Sequence, residues 1–106
     1  MSNHLSYMER AILLAELGRG EVSPNPMVGC VLVKDGNIVG EGYHERFGGP
    51  HAEVMAFRNA VVDPIDCSVY VNLEPCNIKA KTPPCTKFLI ENGVKEVYVA
   101  NIDPNP

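Results

Sequence analysis

The chain has 106 residues, 45% of them apolar and 21% charged, with a formal charge of −4. That is enough for one domain with one core, expected over residues 1–106, and too little for two. An acidic balance argues against a phosphate-backbone footprint, and no apolar run approaches the roughly 20 residues of a membrane span, so neither nucleic acid nor membrane is an expected partner.

Ser6 and Glu9 have the spacing of a capping box, and Leu5, Met8, Ile12 and Ala15 recur at helical spacing up to Gly18. The pattern predicts a helix over about 6–17. Its charged residues also make the start no signal-peptide core, so a cytoplasmic setting with reduced thiols is expected. A loop punctuated by Pro24-Asn25-Pro26 follows. VGCVLV (28–33) and NIVGEGYH (37–44) flank Lys34-Asp35-Gly36, a strong hairpin signal. The Gly-rich stretch 45–50 leads to HAEVMAFRNA, a short helix with Val54, Phe57 and Val61 on one face, broken at Asp63-Pro64. SVYVN (68–72) reads as a strand. Thr82-Pro83-Pro84 reads as a helix start, with a stop at Asn92-Gly93, and EVYVA (96–100) as the last strand before a tail.

The order helix, strand, strand, helix, strand, helix, strand predicts a mixed sheet with helices on its faces. The first two strands form an antiparallel hairpin, and the later strands, linked by helices, run parallel. Ligand sites in such sheets lie beyond the carboxyl ends of strands, where helices begin. His51 and Cys76 fall at positions of that kind.

His51-Ala52-Glu53 opens one helix, Pro75-Cys76 follows a strand, and Pro84-Cys85 opens the next helix. One imidazole and two thiolates converging on a point suit Zn²⁺ better than Mg²⁺ or Ca²⁺. Three ligands leave a position for water, and helix starts favour thiolates. Glu53 is better placed as a proton shuttle than as a fourth ligand. Taken singly, each feature has a plainer reading: His-x-Glu is common, and paired cysteines are often only buried thiols. Cys30 and Cys67, in or beside apolar strands, read that way, while His4 reads as a surface residue and His44 as a possible strand end. The joint pattern carries the zinc reading. His-x-Glu followed by Pro-Cys-x-x-Cys is the signature of zinc deaminases, although here eight residues rather than two separate Cys76 from Cys85.

The stretches PNPMVGCVLVKDGNIVGEGYHERFGGPHAEVMA, YVNLEPC, TPPC and DPNP carry a more specific resemblance. Together they resemble the pyrimidine deaminase domain of the bacterial bifunctional riboflavin-biosynthesis deaminase/reductases, from about residue 6 to the end. The long inter-cysteine loop closed by Thr-Pro-Pro-Cys is characteristic of that branch. The resemblance implies a three-layer α/β/α cytidine deaminase-like fold, short at its C-terminus and without the reductase domain. It implies a Zn²⁺ cofactor and hydrolytic removal of an amino group from a diaminopyrimidinone carrying a ribosylamino 5′-phosphate. Glu53 would move protons, with Asn25, His44, Ala52, Lys81, Asp103 and Asn105 at substrate-binding positions. Lys81 has a rationale of its own, because a phosphate ester in an acidic protein needs a local cation, although a solvated loop lysine reads equally well.

Two features depart from that family. Its loop carries His and Gly where this chain has Ile78 and Ala80, which removes a polar contact and points to a weaker or different pyrimidine contact. The chain also stops just after its fourth expected strand, where the family's domain continues through a fifth strand and a further helix. It is therefore either a fragment or has a sheet edge that is supplied or left open in another way, and an open edge would favour a homo-oligomer. Deamination of another base or nucleoside, and a zinc-stabilised module without turnover, stand as alternatives. Retention of Glu53 counts against the latter, since a purely structural site has no use for a proton shuttle.

Overall fold

Asp35 and Gly36 both have positive φ, 53° and 80°, the requirement of a type I′ turn whose twist matches its flanking strands. In the computed structural model, which describes residues 4–20, 27–46, 48–72 and 89–99, this turn joins β1 (Gly29–Lys34) to β2 (Asn37–Tyr43). The two pair antiparallel from Gly29↔Tyr43 to Lys34↔Asn37, with a bulge between Leu32 and Val33. On its other side β1 pairs antiparallel with β3 (Ser68–Val71), and β3 pairs in parallel with β4 (Glu96–Val99). The strand order is β2-β1-β3-β4. The strands β2, β3 and β4 therefore share one direction, as strands joined through helices should, and β1 alone opposes them.

Side chains alternate along β1. Val31 and Val33 pack with Ala11 and Leu14 of α1 (His4–Glu16), while Cys30 and Leu32 pack with Ala52 and Ala56 of α2 (Ala52–Arg58). The two helices thus cover opposite faces of a mixed sheet, giving three α/β/α layers. Tyr70 of β3 is central to the α1 side, with Tyr7 tilted against it at 5.2 Å and Tyr98 of β4 stacked on it at 4.7 Å. Among the described residues no helix is long and apolar enough to cross a membrane.

The helices sit differently from the faces read in the sequence. Leu5 and Ile12 are 71% and 44% exposed, whereas Ala11, Leu14 and Ala15 are buried. The cause is Gly29, where an added Cβ would lie 2.0 Å from the Ala11 carbonyl oxygen and 2.7 Å from the Ala15 nitrogen. The helix backbone lies directly on the strand backbone, so small residues must face inward. On the other side Val61 is exposed and Ala52, Glu53 and Ala56 are buried. There an added Cβ at Gly42 would lie 2.3 Å from the Ala56 nitrogen, and one at Gly40 2.6 Å from the Ala56 oxygen.

Helix ends follow local chemistry, with two corrections. Ser6 lies within α1 and is exposed, so it is no N-cap. After Glu16 the amides of Leu17, Gly18 and Arg19 bond three residues back, and Gly20, not Gly18, takes the left-handed conformation at φ +84°. The stop at Asn92-Gly93 is as expected. Residues 89–91 are helical, the Val94 amide donates to the Leu89 carbonyl at 3.2 Å and the Gly93 amide to that of Ile90 at 3.1 Å, with Gly93 at φ +77°. This is a Schellman ending. The start expected at Thr82-Pro83-Pro84, the Pro24-Asn25-Pro26 loop and the tail lie outside the described residues.

Candidate active site

Strand β2 delivers the first candidate side chain. His44, one residue past its end, is 3% exposed. Its backbone amide donates to the Val28 carbonyl at 3.0 Å, and its Nδ1 lies 2.9 Å from the Pro50 carbonyl oxygen. A carbonyl can only accept, so Nδ1 carries the proton, and the imidazole is held in one tautomer and one orientation.

The chain then turns through Gly48, at φ +84°, and enters α2. His51 is the N-cap, with extended backbone (φ −75°, ψ 164°) and no capping bond from its side chain. Its ring stands edge-on to that of His44, with centroids 5.6 Å apart. Burial of part of the ring, followed by repulsion from His44, pushes the His51 pKa below its usual value. Both effects favour the neutral imidazole, the form that donates a lone pair to a metal. Although the residue as a whole is exposed, this part of it is not water-like.

Glu53 follows within the first turn and is 2% exposed, a buried acid two residues from a candidate ligand. Ala52 between them is fully buried in the α2-side core, so any ligand contact from it comes from its backbone. The close seats at Gly40 and Gly42 set the position of the turn that carries both residues. A longer side chain at either glycine would lift α2 from the sheet.

The structure thus brings the His44 and His51 rings together past the carboxyl end of β2, with Ala52 and Glu53 following His51 at the start of α2. Cys76, Cys85, Asn25, Lys81, Asp103 and Asn105 lie outside the described residues. Among the described residues no three His, Cys, Asp or Glu side chains converge as a metal site, and two of the three expected ligands are not among them. Cys30 and Cys67 are buried thiols outside any disulfide, as expected. Burial pushes the Cys67 thiol up, the opposite of what a reactive or ligating cysteine needs.

Sequence reading missed one polar residue here. Asn72, directly after β3, accepts at Oδ1 from the Gly29 amide at 2.8 Å and donates from Nδ2 to the Met27 carbonyl at 3.1 Å. An Asn at the end of an apolar strand, before a proline-rich stretch of sequence, was the available signal.

The family described as the cytidine and deoxycytidylate deaminase zinc-binding region matches residues 1–101. A diaminohydroxyphosphoribosylamino-pyrimidine deaminase of Buchnera aphidicola is 51% identical over 104 residues, covering 98% of this chain and 71% of that protein. The riboflavin biosynthesis protein RibD of Actinobacillus pleuropneumoniae is 53% identical over 102 residues, covering 96% of this chain. The chain spans 27% of that relative's length. Among solved structures, the deaminase/reductase of Thermotoga maritima superposes with a TM-score of 0.86 at 51% identity, over 97% of this chain and 30% of that one. The dCMP deaminase of cyanophage S-TIM5, 23% identical with a TM-score of 0.71, covers 91% of this chain and 80% of its own and shares the fold. With the His-x-Glu turn on α2 and this mixed sheet, the chain belongs to the cytidine and deoxycytidylate deaminase zinc-binding family, in its diaminohydroxyphosphoribosylamino-pyrimidine deaminase branch.

Proposed function

We propose that residues 1–106 form a cytoplasmic zinc-dependent deaminase domain acting on a diaminopyrimidinone that carries a ribosylamino 5′-phosphate. The reaction consumes water, breaks the bond between the ring carbon and its exocyclic amine, and releases ammonia. The observation that carries this reading is the first turn of α2, where a neutral-leaning His51 and a buried Glu53 stand two residues apart.

His51, Cys76 and Cys85 are the residues that would hold zinc. A nitrogen and two thiolates form a donor set that fits Zn²⁺, and the neutral imidazole at the head of α2 meets its part of that requirement. When bound there, the metal supplies Lewis acidity to water and opens a position for it. Glu53, held in one place by burial, takes the proton from the attacking water and returns it to the departing amine. His44, fixed by the Pro50 carbonyl, presents one defined edge to the ring. Asn25, Asp103 and Asn105 complete the polar contacts, with the Ala52 backbone, and Lys81 pairs with the phosphate. A homo-oligomer is the proposed assembly, since β4 has no further strand beside it among the described residues, and an unpaired sheet edge favours self-association.

Elemental analysis and an ammonia-release assay test this together. Cys76→Ser and Cys85→Ser should each lose the zinc that the parent holds, about one per chain, and should lose turnover with it. Chelation should also free two thiols to alkylation, with the buried Cys30 and Cys67 reacting only on unfolding. Zinc retained in both variants would remove the ligand assignment. The second reading, another pyrimidine or nucleoside as substrate, is favoured by Ile78 and Ala80 in the loop. A panel of amino-bearing bases separates the two, and Ile78→His should raise kcat/KM for the riboflavin-pathway pyrimidine by roughly tenfold if one hydrogen bond is regained.

A further inference from the structure

Three strands of chain meet around residues 27–29. The Val28 carbonyl accepts from the His44 amide at 3.0 Å, at the end of β2. Met27 and Gly29 are gripped from the other side by the Asn72 side chain, at the end of β3. The Asn72 backbone amide also points at the Gly29 carbonyl, at 3.4 Å. A side-chain amide that both donates and accepts along a neighbouring backbone extends the β1–β3 ladder past its last backbone pair, Cys30↔Val71. Asn is suited to this role, since its two termini carry one donor and one acceptor function at a fixed separation.

The three ends that Asn72 unites all lead to proposed site residues. Asn25 lies two residues before Met27, His44 is bonded to Val28, and Cys76 lies four residues after Asn72. Glu53 is held separately, by the seating of α2 on Gly40 and Gly42. We infer that Asn72 is a positioning residue for substrate binding: its amide sets the 27–29 segment, which links the proposed contacts Asn25 and His44, against the end of β3, independently of the acid–base group. This rests on the reading of Asn25 and His44 as substrate contacts.

Asn72→Asp and Asn72→Ala test it. Aspartate keeps the shape and the acceptor toward the Gly29 amide, but sets a carboxylate oxygen against the Met27 carbonyl. Alanine removes both bonds. Both variants should keep zinc, and KM for the phosphorylated diaminopyrimidinone should rise by roughly tenfold while kcat changes far less. A merely structural asparagine predicts a lower melting temperature with KM unchanged, and that result overturns the proposal. So does a fall in kcat at constant KM. If Asn72→Ala does not fold, the isosteric Asn72→Asp carries the comparison alone. A parent protein inactive on this substrate would count against the functional reading instead. The proposal is then judged by amide exchange at His44, whose amide bonds the Val28 carbonyl, in Asn72→Asp with zinc bound, where faster exchange supports it and unchanged exchange overturns it.

Discussion

The two faces of the sheet are built by the same device and used differently. On each, a helix lies close to a strand because the strand offers glycine and the helix offers alanine: Gly29 beneath Ala11 and Ala15, and Gly40 and Gly42 beneath Ala56. The α1 side continues as an ordinary core, with Leu14, Val31, Val33 and Tyr70 buried. The α2 side places an acid, Glu53, at 2% exposure in its first turn. Close packing on one face therefore serves stability, and on the other it sets the position of chemical groups. Mutations should separate these roles.

The largest effect is expected at Glu53. Glu53→Gln retains the shape and much of the hydrogen bonding but cannot accept a proton. Ammonia release should fall by about 10²–10⁴-fold, with zinc content kept and the melting temperature unchanged or raised, because a buried ionisable group has been made neutral. Near-normal turnover would take Glu53 out of the mechanism.

Next comes a crossed pair, one substitution from each face. Leu14→Ala empties part of the α1-side core and should cost about 2–5 kcal/mol of stability, seen as a lower urea midpoint. Turnover per folded molecule should not change, since no proposed site residue is on α1. Gly42→Ala forces a Cβ to within 2.3 Å of the Ala56 nitrogen. It should cost about 1–3 kcal/mol, and it should also depress kcat, because α2 cannot yield without moving His51 and Glu53. If Gly42→Ala lowers stability alone, the position of α2 is not what the chemistry depends on.

This pairing also explains what could be read in advance. Turn chemistry was legible at Asp35-Gly36 and Asn92-Gly93, because a positive φ leaves its mark on the residue that adopts it. The His-x-Glu turn was legible because it is carried by two side chains only two residues apart in the sequence. Helix rotation was not. Periodicity weights large apolar residues, so Leu5, Ile12 and Val61 appeared inward, whereas close approach to glycine selects alanine. The neighbour relation of β1 and β3 was equally hidden, since hairpin signals report only pairing between consecutive strands. Asn72 was overlooked because its partners, Met27 and Gly29, lie more than forty residues earlier in the chain.

The smallest effect is expected where the layers touch at the surface. Arg10 of α1 grips Glu41 of β2 with two bonds, Nε to Oε2 at 2.6 Å and Nη2 to Oε1 at 3.0 Å. The Glu41 backbone carbonyl in turn accepts from the Asn59 side chain, at the end of α2, at 2.9 Å. Glu41 is thus bonded to both helical layers, and it is the natural place for the two faces to influence one another. The ion pair is largely open to water, with side chains 47% and 29% exposed, so solvent and salt screen it. A double-mutant cycle of Arg10→Met and Glu41→Gln should give a coupling of about 0.2–1 kcal/mol, shrinking as salt is raised. Arg10 stays charged throughout the accessible range, its pKa raised further by the bond to Glu41 and then by that group's charge, so its own titration adds no pH dependence. Turnover should be unaffected in all three variants, because Asn59 is bonded to the Glu41 backbone and not to the substituted side chain. A kcat that tracks the ion pair would mean that α1 steers α2 through β2, and the separation of a stabilising face from a chemical one would fail at this residue.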